Sequence, residues 1–538
     1  GNRLGPMGWG WSSSLDSSVT VDGCGRRFVQ GSAGQAQPFV GEGSNGDGSF
    51  RYRALNGYHG TLVGRGADYD FYAKDGTRYH FAEPASDGSV RLSFVEDPDG
   101  NRVTYEYVGS GADLRVTAMR DSAGRSLTFE YRRLSFTRSA SGRPSDEVQD
   151  LRLTLSRVRG PGGIVVEYDY DANGNLIVAR RNPGLPGQQL EEFAYQSFGS
   201  VLVPTPQGGE NLQFLGWRLE TATDALSDAT REYLYQLQWA GSRDPLDITA
   251  PVRWTPELRV VELTEPDAGK TRFTFNGLRG IDVAVTTVVK DARSFDTTYT
   301  MNRYGAAVEV QDPAGTTRTE WDMAAMQPRL VTDAVGTATT YTYDEHGNRA
   351  SESIVHPRAG TIERAWTYEP PASFNAPISD RIATARDGRN IVTAYSYDQK
   401  GHRTSTVRGG VTESDGYDSV GDHASHTDGR GKTWTYRYDQ FGQLREQRDP
   451  FDHFIQFAFD ERGRKLSETD ANGHETTYTY DERDREVARS LPQTEGSAAP
   501  AVVRTEYDDS LRTRTDRDAN GHATVTTFDL MGRAYLAP

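Results

Sequence analysis

The 538-residue chain of 59.5 kDa carries a net charge of −16, a single cysteine, Cys24, and only 35% residues of hydrophobic type. That charge opposes a phosphate backbone, so no nucleic-acid partner is expected. One cysteine excludes an intrachain disulfide and a cysteine-based zinc site, and no run of 18 or more apolar residues offers a membrane-spanning segment. Counted with Gly and without Tyr, the apolar share is about 40%, below the roughly 45–50% of an ordinary domain, so a thick core is not expected. The 27 Tyr, 21 Phe, 8 Trp and 56 Gly nonetheless separate the chain from disordered sequence. It begins Gly1-Asn2-Arg3 with neither an initiator Met nor a signal peptide, which reads as an internal piece of a longer protein whose export signals lie elsewhere.

In chain order, residues 1–50 are a Gly/Trp-rich opening segment containing "GPMGWGWSSSLDSS" (5–18). Residues 51–200 hold the first hairpin-like copies: "DYDFYAKDGTRYHFAE" (68–83), "DPDGNRVTYEY" (97–107) and "YDYDANGNL" (168–176). Residues 201–290, with "LQFLGWRLETATDALSDATREYLYQLQW" (212–239), lack clean Asp-x-x-Gly turns and are expected to be degenerate repeats with longer loops or, alternatively, an inserted binding element. From 291 to 538 the pattern becomes regular. Aromatic-Asp steps fall at Tyr417-Asp418, Tyr438-Asp439, Phe459-Asp460, Tyr480-Asp481, Tyr507-Asp508 and Phe528-Asp529, spaced 21, 21, 21, 27 and 21 residues, with looser copies back to Met301-Asn302.

Each unit can be read physically. In "KTWTYRYD" Trp434, Tyr436 and Tyr438 stand at i, i+2 and i+4, the spacing that shares one face of a strand, as do Ile455, Phe457 and Phe459. Each aromatic strand runs into Asp-x-x-Gly, as in Asp439 to Gly442, Asp460 to Gly463, Asp344 to Gly347 and Asp171 to Gly174. There the Asp side chain bonds backbone two residues on, and Gly accepts the positive φ of the reversal. A second turn of the same kind (Asp470 to Gly473, Asp518 to Gly521, Asp333 to Gly336, Asp312 to Gly315) closes the other end of the unit. Two turns and two strands of about six residues fill such a period, so the fold class is all-β: repeated antiparallel β-hairpins stacked into a long spiralling sheet. The return strands "GQLREQRD" (442–449) and "GRKLSETD" (463–470) carry one apolar residue each and cannot fill a sandwich interior, which predicts a single-layer wall around a space, held by lateral packing of the tyrosine rows.

"YRYDQFGQLREQRDP" (436–450), "YDYDANGNL" (168–176), "YTYDEHGNR" (341–349) and "DPDGNRVTYEY" (97–107) resemble the YD repeats of the Rhs proteins, bacterial toxin-complex subunits and teneurins, and "GPMGWGWSSSLDSS" resembles the stretch that opens an Rhs repeat region. The resemblance covers residues 5 to about 200 and 291–538. It implies a hollow β cocoon that in bacterial members encloses a C-terminal toxin domain. The partners it implies are that polypeptide cargo and a secretion or delivery machinery, with the chain secreted or at the cell surface. The family's C-terminal segment, with its Pro…Asp-Pro-x-Gly-Leu sequence and toxin-releasing aspartates, has no match in this chain, which stops at "FDLMGRAYLAP" (528–538), so residues 291–538 read as regular repeats truncated before the closure and toxin.

Candidate chemistry is sparse. Asp169, Asp171, Asn173 and Gly174, and again Asp516, Asp518, Asn520 and Gly521, match positions 1, 3, 5 and 6 of an EF-hand loop, but Arg180 and Thr527 stand where its bidentate Glu belongs. "AGKT" (268–271) and "RGKT" (430–433) lack the first Gly of a phosphate loop, with Thr264 and His426 in its place. His423, His426, His453, His474 and His522 can be imagined as metal ligands or pH sensors but are expected to spread along the wall without converging. No Gly-x-Ser-x-Gly elbow or His-Glu-x-x-His helix is present, so no enzyme, catalytic residue, cofactor or metal is assigned. The expected function is a structural shell that encapsulates and helps deliver a toxin or other polypeptide. The alternative is a cell-surface adhesion or carbohydrate-binding protein whose Tyr and Trp rows stack on sugars. Only six of the 60 Lys and Arg are Lys, which fits a GC-rich bacterial genome.

Overall fold

The computed structural model of the chain describes all residues except 1–3, 6–7, 10–14, 16, 32–35, 56–59, 111–113, 140–146, 185–187, 199, 205–209, 215–216, 226, 243–252, 278–283, 303–304, 324, 371–379, 494–498 and 536–538. Most of the Gly-Trp-rich stretch at 5–18 and the last three residues therefore lie outside the described residues. Among the described residues there is no α-helix, and almost every strand bonds antiparallel to the strand before and after it. The turns form as their sequence requires. At Asp439 the side-chain Oδ1 accepts the N–H groups of Phe441 and Gln443 at 2.8 and 3.1 Å, the Asp N–H donates to the Gln443 carbonyl, and the Gly442 N–H donates to the Asp439 carbonyl at φ +74°. Asp460, Asp481 and Asp344 repeat the pattern. The second turn type does likewise at Asp470, Asp518 and Asp333.

The beginning of the sheet is a barrel, which residue periodicity did not foretell. After a short pair, β1 (Leu4–Gly5) and β2 (Gly8–Trp9), come β3 (Ser18–Val21), β4 (Arg27–Gln30), β5 (Ala36–Ser44), β6 (Phe50–Ala54), β7 (Thr61–Arg65), β8 (Asp68–Tyr72), β9 (Arg78–Pro84) and β10 (Val90–Glu96). Each pairs with the next, and β10 returns to β3 through Val90↔Val19 and Arg91↔Ser18. The far half of β10 pairs instead with β11 (Arg102–Val108), from Phe94↔Thr104 to Glu96↔Arg102. One strand thus both closes the barrel and starts the ribbon. The apolar core sits here: Val19, Phe39, Leu62, Phe81 and Leu92 are at most 2% exposed, and Phe39 meets Phe71 edge-on at 6.0 Å. Strand β7 is buried on both faces, which is what a barrel wall covered from outside demands. Beyond Val203 the only buried apolar side chain among the described residues is Pro256.

Ser200–Pro204 and Glu210–Phe214 form a separate two-stranded sheet, while the strands on either side, Gln189–Ser197 and Trp217–Asp224, pair directly with one another and keep the ribbon continuous through Arg253–Thr264 and Lys270–Asn276.

Without a core, the regular repeats hold together by ladders, a recurring bulge and ring–cation contacts. In most units the register shifts just before the aromatic of the aromatic-Asp step, as before Tyr343, Tyr397, Tyr417, Tyr438, Phe459 and Tyr480, whereas the Tyr507 unit keeps an unbroken register. The ladder between neighbouring hairpins ends early there, Ser467↔Thr477 being the pair nearest Tyr480, so carbonyls of the preceding hairpin are left open. The tyrosine hydroxyl fills the vacancy. Tyr480 donates to the Lys465 carbonyl at 2.8 Å, Tyr343 to Pro328 at 2.8 Å, Tyr397 to Ile382 at 2.9 Å and Tyr170 to Leu155 at 2.8 Å, each 15 residues upstream. The Trp321 indole N–H does the same to Ala307. The rings are covered less by one another than by cations of the return strands: Lys465 over Tyr478 at 4.5 Å, Arg464 over Tyr480 at 5.0 Å, Arg349 over Tyr341 at 4.6 Å and Arg485 over Tyr507 at 4.1 Å. This is how return strands with one apolar residue each can still line an aromatic face. Replacing Tyr480 by Phe is expected to cost about 1 kcal/mol by urea denaturation, the net value of one hydrogen bond. Phe459 already fills the equivalent place without a hydroxyl, so the fold should persist.

Candidate functional site

The turns at one edge of the ribbon meet the turns at the opposite edge of an earlier stretch. Lys74 Nζ donates to Asn348 Oδ1 at 2.8 Å, across 274 residues. His402 Nε2 lies 2.8 Å from Asp99 Oδ2, across 303 residues, and Asn101 Nδ2 donates to the Val420 carbonyl at 2.8 Å, across 319. The Arg125 guanidinium stands over the Phe441 ring at 5.4 Å. Arg462 donates to the Gly162 carbonyl at 2.8 Å, Arg181 to Asp484 at 2.6 Å, Asn182 to the Glu482 carbonyl at 3.1 Å and Arg533 to Asp267 at 2.6 Å, separated by 300, 303, 300 and 266 residues. These pairs advance together along both stretches at a nearly constant offset, which is the signature of a coil whose second lap rests edge to edge on the first. One lap takes on the order of 300 residues. The aromatic-Asp turns of the second lap therefore have a second role: they form the seam.

Two nodes dominate that seam. Asp484 occupies the place that Gly442 and Gly463 hold in sister turns and shares their positive φ, +63°, a conformation costly for a residue with a Cβ. Its carboxylate accepts from Arg181, Arg462 and Arg464 at 2.6, 3.2 and 3.1 Å, and that cluster accounts for an aspartate there. His402 is bonded at both ring nitrogens, to Asp398 of its own turn and Asp99 of the first lap, each at 2.8 Å, and stacks on Tyr417 at 4.4 Å. Burial pulls its pKa down, but the two carboxylates outweigh it and hold the imidazole above its ordinary value. Gly421 is required beside it, because a Cβ there would stand 2.4 Å from Asp99 Oδ2.

The residues singled out in the sequence separate into two groups. In the EF-hand-like stretches Asp171 accepts the N–H groups of Asn173 and Asn175, Asp518 those of Asn520 and His522, while Asp169 pairs with Arg132 and Arg180, and Asp516 with Arg514; these oxygens are committed to turns and ion pairs. "AGKT" and "RGKT" are ordinary turns, closed by Ala268 N–H to Glu265 and Gly431 N–H to Asp428. His453, His474 and His522 each bond the Asp of their own turn and stay apart. His423 and His426 do not spread along the wall: both reach Asp415 Oδ1, at 2.9 Å each. Sequence reasoning missed this because residues three apart in a regular strand face opposite ways. The bulge opposite Gly416 and Tyr417 makes Ala424 an extra residue and turns both rings to one side. Cys24 is exposed. No described helix is long and apolar enough to cross a membrane.

The RHS Repeat family model matches residues 327–361, 417–452 and 459–495. No curated protein matches the chain. Among solved structures the chain is similar to the Photorhabdus luminescens Tc holotoxin pore, at 12% identity and TM-score 0.36, over 94% of this chain and 26% of that one. It is similar to TcdB2-TccC3 at 12% identity and TM-score 0.37, over 95% of this chain and 27% of that one, so it spans about a quarter of their length. The N-terminal domain of the effector protein SpvB from Salmonella typhimurium aligns at 13% identity and TM-score 0.19, over 48% of this chain and 91% of that domain. The matched stretches coincide with the bulged, aspartate-turned hairpins of the second lap, and over those residues the chain carries RHS repeats.

Proposed function

We propose that the chain is a wall segment of a hollow shell that encloses a polypeptide cargo, a toxin domain, and helps deliver it, with no catalytic role of its own. The observation that carries this reading is the seam: laps about 300 residues apart are stitched edge to edge, so the ribbon surrounds a space. The surface agrees. The accessible area of 30,443 Å² compares with on the order of 19,000 Å² for a compact protein of this mass, as a single-layer wall wet on both faces requires. Continuous backbone ladders keep proteases out, since a protease needs an extended segment free of sheet bonds.

On this reading residues 1–50 open the shell, 51–200 are its first repeats, 201–290 a degenerate or inserted stretch, and 291–538 regular wall that continues towards a closure and toxin in a longer protein. The whole works outside the cell, secreted or surface-held, and is passed on by a secretion or delivery machinery. Limited proteolysis of the full-length protein tests it. Cargo inside the intact assembly is expected to outlast free cargo by far, with protection tracking how often the seam opens. Equal cleavage of enclosed and free cargo would remove the proposal, and glycan binding by the intact chain in its stead would favour the adhesion or carbohydrate-binding alternative.

A further inference from the structure

The unit around Tyr417 departs from its sisters at three touching positions. Two residues before the aromatic-Asp step, five other units place an aromatic ring: Tyr341, Tyr395, Tyr436, Phe457 and Tyr478. Here that place holds Asp415. Opposite it, where the sisters carry Glu352, Thr406, Gln447, Glu468 and Arg489, stands His426. Opposite the step itself, where they carry Arg349, Arg403, Leu444, Lys465 and Glu486, stands His423. Turn and wall chemistry are satisfied in five units without this trio, so neither explains it. What the three changes have in common is that each supplies a metal-ligating atom, and the bulge brings those atoms together.

We propose that Asp415, His423 and His426 hold one divalent first-row transition-metal ion, of the zinc or iron(II) class, on the aromatic face of the wall. The donor atoms, His423 Nε2, His426 Nδ1 and a carboxylate oxygen of Asp415, lie within 4.8 Å of one another. A tetrahedral ion with bonds of about 2.0–2.1 Å spaces its ligands roughly 3.4 Å apart, so a small inward movement completes the site. Two imidazoles and one carboxylate suit zinc, iron, nickel or copper and not calcium or magnesium, which take oxygen ligands. The set leaves coordination positions open to water. The rings are held from outside: His423 stacks on Tyr436 at 5.3 Å and packs on Tyr417 at 5.4 Å, and His426 packs on Trp434 at 6.1 Å. Asp415 is 10% exposed and the two imidazoles 36% and 31%, so the carboxylate is sheltered while the histidine side of the site stays reachable. The ion would take the place of the two N–H protons that now meet Asp415 and would fasten the two strands of this hairpin.

The test is titration of the tag-free chain with cobalt(II), read by its visible absorption, followed by displacement with zinc. One cobalt per chain with a ligand-field band is expected. His423→Gln combined with His426→Gln should abolish the band or weaken binding by at least about tenfold. Asp415→Tyr restores the residue type of the sister units, so it should fold as they do and still lose the site. A wild-type chain that gives no band, or variants that bind as the wild type does, would overturn the proposal. Neither result bears on whether the wall encloses cargo.

Discussion

Truncating Phe81 to Ala is expected to cost about 3–5 kcal/mol, the cost of removing a ring from a tightly packed core. Phe81 is 1% exposed and lies on β9, opposite Tyr69 of β8 and Leu92 of β10. The ring therefore fills the barrel beside the strand that both closes it and starts the ribbon. The deletion removes the transfer energy of a buried ring and leaves a cavity that bonded strands on both sides cannot collapse into. Chemical denaturation should show a transition of lowered midpoint, and hydrogen exchange should place the loss in residues 18–96, ahead of the second lap. An apolar truncation in the ribbon provides the contrast. Val525 is 60% exposed, and Val525→Ala is expected to change stability by less than about 0.5 kcal/mol. Equal costs at the two positions would mean that the barrel is not the anchor of the sheet.

The second large effect is expected at the seam. Asp484→Ala strips three arginines of a shared, partly buried carboxylate, a loss of about 1–3 kcal/mol. Asp484→Gly removes the same carboxylate but relieves the positive φ, so it should be about 1 kcal/mol more stable than the Ala variant. That ordering separates the backbone cost from the ion pairs. Hydrogen exchange should rise around Arg181–Asn182 and at the turn of residues 481–485 together, since the two sides share the lost contact. At the other node the pH dependence follows from His402, whose pKa is raised in the folded chain. Such a group stabilises fully below the unfolded value of 6.5, and its contribution fades as pH rises through the folded value. Asp398, with its pKa lowered chiefly by His402 against the opposing effect of burial, stays ionised throughout that window. Protection of the wild-type seam, relative to the intrinsic exchange rate at each pH, should therefore be greater at pH 6 than at pH 8, and His402→Gln should flatten the difference. An unchanged difference in that variant would assign the pH response to another group.

Much of this architecture could be read from residues alone. Tyr436 and Tyr438 on one strand face, Asp439 closing its turn and Gly442 at positive φ are all local: every interaction that specifies them falls within the 21-residue period. The same locality explains why the EF-hand-like and phosphate-loop-like stretches were recognisable as turns. Locality also marks where residue patterns stop informing. The extra residue Ala424, placed by pairing, reverses strand parity and brings His423 beside His426, which alternation alone assigns to opposite faces. The hydroxyl of Tyr480 earns its place only once a neighbouring hairpin leaves the Lys465 carbonyl unpaired.

By itself, then, the sequence determined the hairpin, its two turns and its aromatic face, because short-range hydrogen bonding and side-chain alternation suffice for each. Only the tertiary structure decided that Val90 and Arg91 return to Val19 and Ser18 to make a barrel, and that Asp99 meets His402 while Arg181 meets Asp484. Those pairings join residues about 70 and 300 positions apart. They depend on the accumulated twist and curvature of the whole sheet, a sum over many strands that no single repeat encodes.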